Sequence, residues 1–574
     1  MLYDKMITFV TSYLFYENHE HISDEFSIEN LITLCREKLP LIVFVYHDCE
    51  SWIREKIRGS IDENAEMPVL IPIQKMQLRT WRTIQEYDDI VELPKNRNPA
   101  KDTPEHLWKT HVAMELVDLA IQQNPFGTRH FAWIQYSLPY VVRNPAMYTY
   151  LRDLCNMNLR ERCFVFPGCT GSPVTDITVL LDGICWRFSG GFFIGDSVSI
   201  RRGWEVYIRE FALFLKTYRK LVWEVNFYAY LEGFCRDDWK VTWYHGNHND
   251  SIISGIPPEC FVRCLVDSVT VKTVEYTNMP EIPGFYPTSA SYLHWYDPTT
   301  EKTRHYLNTR YVNYWLYPNG YYRYSSSDHI IENKNVVCEL TVDGLTPVES
   351  SFRIMEDALD LPHFEKAYSR GLEDLRLYEI DGKIKCSATN LNHVDDSGRS
   401  RIIVGDYCLD TGTICNGVVV QPPTETRCEK NWIPIVHQGE ECFVYKWSPF
   451  QIGKIDTITH NLEIVCERDL KCPLFRHVRG SSVFVREDEG RCLGVVHFSE
   501  EGSPRKYYHM IVEMEEGIPV RYSQPFCFQT LSVEFCIGFA VNGENYIFWI
   551  SRMDRDPAMV IVPSCEILCN NNVY

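Results

Sequence analysis

Apolar and polar positions change their rhythm once along this chain, between residues 250 and 290. Before the change, short continuous apolar runs alternate with segments of helical spacing. Residues 7–11 and 41–46 are β-branched and aromatic runs, the second continuous enough to be buried on both faces. Residues 27–39, between them, have helical spacing. Residues 69–73 predict a shorter strand, placed at a sheet edge by Pro72. Thr103-Pro104 is a helix start, a capping hydroxyl followed by proline at the first position. That helix carries Trp108, Val112, Leu116 and Leu119 down one side and leads to a strand at residues 130–134. Trp204, Ile208, Phe211, Leu215 and Tyr218 predict another helix with one buried face. A further helix begins near Val222, with Gly233 placed to end it in a left-handed conformation.

This alternation predicts an α/β, Rossmann-like unit over residues 1–255, a mostly parallel sheet with helices on its faces. In such sheets ligands sit beyond the carboxyl ends of the strands. His47-Asp48, Gln135 and Gly195-Asp196 all fall at predicted strand ends. Ser189-Gly190-Gly191 can hold backbone close to a ligand, with Glu224 facing the same cleft. The competing reading is a packed helical hairpin with a glycine turn.

Breaker signals at Gly255-Ile256-Pro257-Pro258 and Pro280-Glu281-Ile282-Pro283-Gly284 surround one strand, so residues 256–290 read as a linker and first propeller strand. Beyond them helical spacing nearly vanishes. Asn319-Gly320, Asp381-Gly382, Gln438-Gly439, Glu489-Gly490 and Asn542-Gly543 are hairpin turns between aromatic and β-branched flanks. They recur roughly every 50–60 residues, a propeller period. Residues 291–574 therefore predict an all-β, five-bladed β-propeller. At the start of each blade's first strand sits a polar cluster: Arg310, then Glu373-Asp374 with Arg376, Lys430-Asn431, Arg479 and Glu534. Equivalent positions in a propeller converge on its axis. With Trp432, Trp447 and Tyr508 nearby, such a ring suits a sugar, whose hydroxyls need polar partners and whose faces stack on aromatics. The alternative is that the charges pair and close the channel.

Composition narrows the function classes. Among 574 residues, 57 Lys and Arg stand against 77 Asp and Glu, a net charge of −20. A phosphate backbone demands a basic face, which argues against nucleic acid as partner. The 22 cysteines include no Cys-x-x-Cys pair. Cys260 with Cys264 and Cys565 with Cys569 have spacing zinc could accept, without a second pair nearby. Buried reduced thiols are the expectation. No apolar run of ~18 residues occurs, and residues 6–16 lack a cleavage site, so a cytoplasmic protein without signal peptide or transmembrane segment is expected.

Several of these pieces carry a resemblance. The opening strand 9–13, Phe131-Ala132-Trp133-Ile134-Gln135-Tyr136 after a helix with Lys109, Ser189-Gly190-Gly191-Phe192, Trp223-Glu224 and Tyr244-His245-Gly246 resemble, in that order, the HtrL/YibB family. These are glycosyltransferase-like proteins of the GT-A fold, found in bacterial surface-glycan loci and in giant DNA viruses. The resemblance implies a nucleotide-sugar donor, a glycan or glycoprotein acceptor, and a divalent metal, Mn or Mg, on the diphosphate. It would place Glu224 near the acceptor, Asp196 and His245 on metal or diphosphate, and Thr11, His47, Asp48 and Gln135 around the nucleotide. The family usually has an acid where this chain has Gln135, and no Asp-x-Asp motif stands at a strand end.

The second half resembles five-bladed glycoside hydrolase propellers and, among them, the mannoside phosphorylases. Their Glu-Asp-Pro-Arg motif is matched by Glu373-Asp374-Leu375-Arg376, without the proline. The resemblance implies Asp374 or Glu373 as the acid and Arg310, Lys430 and Arg479 as an anion site. Three functions follow: a glycosyltransferase whose propeller binds glycan, a phosphorylase or hydrolase acting in the propeller beside a degenerate transferase domain, and a non-catalytic glycan-binding protein.

Overall fold

The computed structural model describes residues 7–15, 23–62, 65–276, 278–393, 398–488 and 490–574. The chain divides into two compact units, Met1–Phe261 and Val262–Tyr574.

The first unit is built on one seven-stranded sheet. In chain order its strands are β1 (Ile7–Tyr13), β2 (Leu41–Tyr46), β3 (Val69–Ile73), β4 (His130–Ile134), β5 (Phe164–Gly168), β6 (Phe192–Asp196) and β7 (Thr242–His245). Their spatial order is β3-β2-β1-β4-β6-β5-β7. β1, β2 and β4 bury every residue, as continuous apolar runs covered by helices on both faces should. β3, with its proline, takes the edge. β1 pairs in parallel with β2 and β4, and β5 with β7, but β6 runs antiparallel to both β4 and β5.

Thr103 caps the helix Pro104–His111 by accepting from the His106 N–H at 3.2 Å. The Trp204–Tyr218 spacing belongs to the helix Ser197–Tyr218, and the next helix runs Glu224–Phe234. Gly233 lies inside that helix rather than ending it. A Cβ there would stand 2.1 Å from the Val174 carbonyl oxygen, so the glycine serves close packing.

The second unit is all-β and propeller-like, a succession of antiparallel sheets. Their first strands begin with Tyr286–Asp297, Glu373–Ile380, Ile433–His437, Arg479–Gly480 (continued by Val485–Asp488) and Glu534–Asn542. The last sheet is completed by Lys272–Glu275, from the start of the unit, which pairs with residues 558–561. That pairing joins the two ends of the unit and covers an outer strand edge. Residues of the first strands of all five sheets, with 483–484 just before Val485–Asp488, line one cavity: 292–294, 377–380, 434–436, 483–487, and Ile537 with Phe539.

Left-handed turn residues supply the tight hairpins. Asp381-Gly382 and Gln438-Gly439 have φ of 51° and 74°, and 54° and 81°, and each joins the first two strands of its sheet. Gly490 and Gly543 occupy the corresponding turns at φ 82° and 58°, while Glu489 lies outside the described residues. Asn319-Gly320 is different. It closes a separate hairpin, Tyr314–Leu316 with Tyr322–Tyr324, inserted after the second strand of the first sheet. That sheet's own first turn follows Asp297, whose carboxylate accepts from the Thr299 and Thr300 N–H groups and the Thr300 hydroxyl.

Candidate functional site

The reversed strand β6 decides which residues of the first unit can meet. It pairs Asp196 with His130, the first residue of β4, and Phe192 with Ile134, the last. Asp196 therefore lies at the edge where the parallel strands begin, not where they end. Its buried carboxylate caps the helix Ser197–Tyr218 through the Val198 and Ser199 N–H groups, at 3.0 and 2.9 Å, and accepts from Cys163 N–H at 2.7 Å. His245 ends β7 at the opposite edge and is exposed. The expected Asp196–His245 metal pair is thus separated by the length of the sheet. Among the described residues no group of three or more His, Cys, Asp or Glu side chains could hold a metal ion. Asp196 and His245 therefore do not hold one divalent metal between them.

Gln135, Gly190, Gly191 and Glu224 do come together at the carboxyl edge. The Gln135 N–H donates to the Gly191 carbonyl at 2.9 Å, and the Trp133 indole to the Gly190 carbonyl at 3.1 Å. A Cβ on Gly190 would stand 1.9 Å from Glu224 Oε1, so the missing side chain is what admits the carboxyl. Burial raises the Glu224 pKa, while Thr110, Lys101 and the amides of Glu224 and Val225 pull it down. His47 and Asp48 follow β2 at this edge, exposed and 3.6 Å apart. Thr11 is fully buried within β1 and does not border the cleft. An aromatic group missed in the sequence stands here instead. Tyr13, Phe15 and Tyr136 pack edge to face or tilted, with the Lys109 ammonium 4.7 Å from the Phe15 ring. Its signal was Tyr13 at the end of β1 and Tyr136 two residues past the end of β4.

In the second unit the charged residues collect where the first strands begin. Arg310 lies near the end of the second strand, Lys302–Val312, not at the start of the first as expected. Antiparallel pairing of Tyr286 with Val312 brings it to the same face. Its guanidinium donates to Asp374 Oδ1 at 2.8 Å and to Asn333 Oδ1 at 2.8 Å, with Glu373 3.6 Å away. The Glu373 and Asp374 carboxylates raise the Arg310 pKa despite its burial. Asp374 and Asn431 both sit in left-handed backbone, at φ 52° and 63°.

Arg376 is 2% exposed and faces no ligand space. It donates to the Ser481 carbonyl at 2.7 Å, the Asp374 carbonyl at 2.9 Å and Asn431 Oδ1 at 3.3 Å, tying three sheets together. Burial lowers its pKa to about 10. Glu534 is also structural: its buried carboxylate accepts from the Phe528, Gln529 and Thr530 N–H groups at 2.7 to 2.9 Å. Lys430 and Arg479 are exposed, and neither has an ion-pair partner among the described residues. Burial, His509, Arg479, Arg376 and Lys430 together hold the His497 pKa well below its usual range.

Strand parity corrects the aromatic assignments. Tyr508 is fully buried, stacks on Phe498 and donates to Glu500 at 2.6 Å. Its neighbour Tyr507 takes the other side, beside Arg505, Lys430 and Asp554. Trp432 is buried and bonded to Glu429, and Trp447 is buried against Phe450 and Phe475. Asp554, missed in the sequence, joins Arg310, Asp374 and Glu373. The polar break at residues 551–556 between two apolar runs was its only signal.

The cavity lined by all five first strands, about 770 Å³, opens where those strands end, away from the charged cluster. Its walls are mostly apolar, including Leu293, Leu377, Ile435, Val483, Ile537 and Phe539.

No family model matches the chain, and no curated protein matches it in sequence. Among solved structures it is similar to a beta-1,2-mannobiose phosphorylase from Listeria innocua, at 11% identity and TM-score 0.34, over 52% of this chain and 98% of that one. It is similar to MPT-1, a GDP-Man-dependent mannosyltransferase from Leishmania mexicana, at 11% identity and TM-score 0.35, over 53% and 95%. A third is the GH43_1 enzyme from Xanthomonas citri in complex with xylotriose, at 10% identity and TM-score 0.33, over 51% and 90%. Likenesses this distant leave the fold to rest on the strand pairing itself.

One buried group beside the first cleft makes a pH prediction. The His111 ring nitrogens bond the Tyr207 hydroxyl at 2.6 Å and the Val222 carbonyl at 2.8 Å, and burial lowers its pKa from 6.5 to about 4. Below pH 6.5 the unfolded chain takes up a proton that the folded chain refuses. Stability present above that value is lost as pH falls toward about 4, by about 3 kcal/mol. Urea unfolding across this range should show a shallower loss in His111→Gln than in the parent. Equal slopes would contradict the assignment.

Proposed function

We propose that this is a glycan-processing protein whose second unit is a five-bladed β-propeller acting on glycosidic bonds. The reading rests on one observation: Glu373, Asp374 and Arg310 converge beside exposed Lys430 and Arg479 on the face where the first strands begin. Carboxyls next to unpaired cations suit an oligosaccharide together with an anion. The left-handed backbone of Asp374 costs of order 1–3 kcal/mol, and strain of that kind concentrates at working sites. Water screens the rim, so the cations can meet phosphate without a large desolvation cost.

Phosphorolysis and hydrolysis differ in what the cations do. If phosphate is the nucleophile, Lys430→Ala and Arg479→Ala should each raise its KM at least tenfold with little change in kcat. Phosphate should also raise the melting temperature of the parent by mass action, and less that of either variant. Asp374→Asn should fold and lose turnover by ~100-fold or more. Disaccharide cleavage measured with and without phosphate checks this. An inert parent, or an Asp374→Asn variant that turns over normally, would contradict it.

A second reading concerns the first unit. Gln135, Gly190, Gly191 and Glu224 border the carboxyl edge of a sheet whose strands β1 to β4 are parallel, the place where such sheets bind ligands. This supports a GT-A-like, nucleotide-sugar-dependent transferase whose glycan or glycoprotein acceptor the propeller binds. Separation of Asp196 from His245 makes the expected transfer indifferent to chelator. Nucleotide release from a panel of nucleotide-sugars should persist in EDTA, and should fall ~100-fold in Glu224→Gln. Release abolished by EDTA, or unchanged in the variant, would count against it.

A further inference from the structure

The fifth sheet turns from its second strand, Asn545–Arg552, to its third, Arg555–Pro563, through Met553 and Asp554. Met553, Asp554 and Asp556 have φ of 53°, 51° and 48°. Residues with a Cβ disfavour such backbone, and a run of them persists only where the surroundings over-determine it. Glu534 pairs with Arg552, so the turn lies on the face where the first strands begin. Asp554 thus reaches the Arg310–Asp374 cluster from the fifth sheet.

The inserted hairpin closes over it. Tyr314 donates its hydroxyl to Asp554 Oδ2 at 3.2 Å. At the hairpin tip the Asn319 carbonyl accepts from the Ser503 hydroxyl at 2.7 Å, from the loop between the second and third strands of the fourth sheet. Tyr321 and Tyr322 remain exposed beside it. The groups facing Asp554 are Arg310 of the first sheet, Asp374 and Glu373 of the second, and Tyr314. Tyr322 of the hairpin and Tyr507 of the fourth sheet also face it, with Arg505 beside both. Its own neighbours are engaged elsewhere: Arg552 pairs with Glu275, and Arg555 lies 3.4 Å over the Trp315 ring.

We propose that Asp554 is the proton-donating catalytic residue of the axial site, acting opposite the Asp374–Arg310 pair. The proposal rests on the glycosidic-bond reading above and adds a residue to it. Two carboxyls in one cluster have unlike surroundings, which is how acid and base roles are separated. Asp374 has a guanidinium 2.8 Å away, whereas among the described residues the hydrogen-bond donor to the Asp554 carboxylate is the Tyr314 phenol. Burial raises the Asp554 pKa, Arg310 opposes it, and Asp374 and Glu373 raise it further. Asp554 passes its proton to the glycosidic oxygen as the bond from that oxygen to the anomeric carbon breaks. The oxygen of water or of hydrogen phosphate bonds that carbon. Its surplus proton passes to Asp374 from water, or through solvent back to Asp554 from the phosphate ester.

The test compares the parent with Asp554→Asn, Asp374→Asn and Tyr314→Phe on a panel of disaccharides and matching 2,4-dinitrophenyl glycosides, with and without phosphate. A dinitrophenolate leaves without being protonated. Asp554→Asn should therefore lose ~100-fold or more on disaccharides and less than tenfold on dinitrophenyl glycosides. Asp374→Asn should lose hydrolysis of both. An acid must be protonated to act, so parent activity is present below the Asp554 pKa and lost as pH rises through it. That alkaline limb should vanish in Asp554→Asn on activated substrates and move to higher pH in Tyr314→Phe, which no longer donates to the carboxylate. Melting temperatures confirm that each variant folds. A parent inert toward every substrate overturns both readings. An active parent whose Asp554→Asn variant cleaves disaccharides within threefold, or whose alkaline limb is unmoved in Tyr314→Phe, overturns the role of Asp554 alone.

Discussion

A guanidinium buried at the centre of a ring of sheets must find acceptors in several directions at once, and in the second unit the rest depends on how Arg376 does so. Its donors reach a carbonyl of its own sheet, a side-chain oxygen of the third and a carbonyl of the fourth. Losing any of these partners would leave a charge-bearing donor unmet in a dry interior, a loss of several kcal/mol. The first strands are therefore held at fixed offsets. Those offsets set Asp374 and Asn431 in left-handed backbone and carry Asp374 to Arg310. A site whose side chains are fixed this way needs little rearrangement to meet a ligand.

The interior around this tie has two unlike ends. Where the first strands begin, polar loop residues and the ends of the second strands crowd together, and charge collects. Where they end, the walls are mostly apolar and the space widens into the cavity. The two ends thus suit different chemistry: the cavity end is mostly apolar with Glu379, Glu487 and Glu516 along it, while the other end gathers carboxylates around the Arg310 guanidinium.

Much of this was legible in the sequence, and the failures have physical reasons. The change from helical to strand rhythm and the recurring glycine turns are local signals, and they located the second unit's sheets. Asn319-Gly320 misled because a turn sequence reports a hairpin, not which sheet the hairpin belongs to. Arg310 was placed on the wrong strand of the right sheet, yet on the right face, because an antiparallel neighbour ends where the first strand begins. Tyr508 turns away from the polar face and Tyr507 toward it because adjacent residues on a strand point to opposite sides, and sequence alone does not say which side is inward. Asp196 was misplaced because strand direction is a property of the whole sheet; one reversed strand moved it to the other edge. Asp554 escaped because its left-handed turn contains no glycine.

The proposed function requires the charged face, not the apolar cavity, to meet a glycan. A crystal structure of the protein soaked with phosphate and a panel of oligosaccharides distinguishes the two faces. Sugar density is expected against Asp374 and Asp554, with phosphate between Lys430 and Arg479. Ligand found only in the cavity lined by Leu293, Leu377 and Phe539, with the charged face empty at saturating concentration, would contradict it.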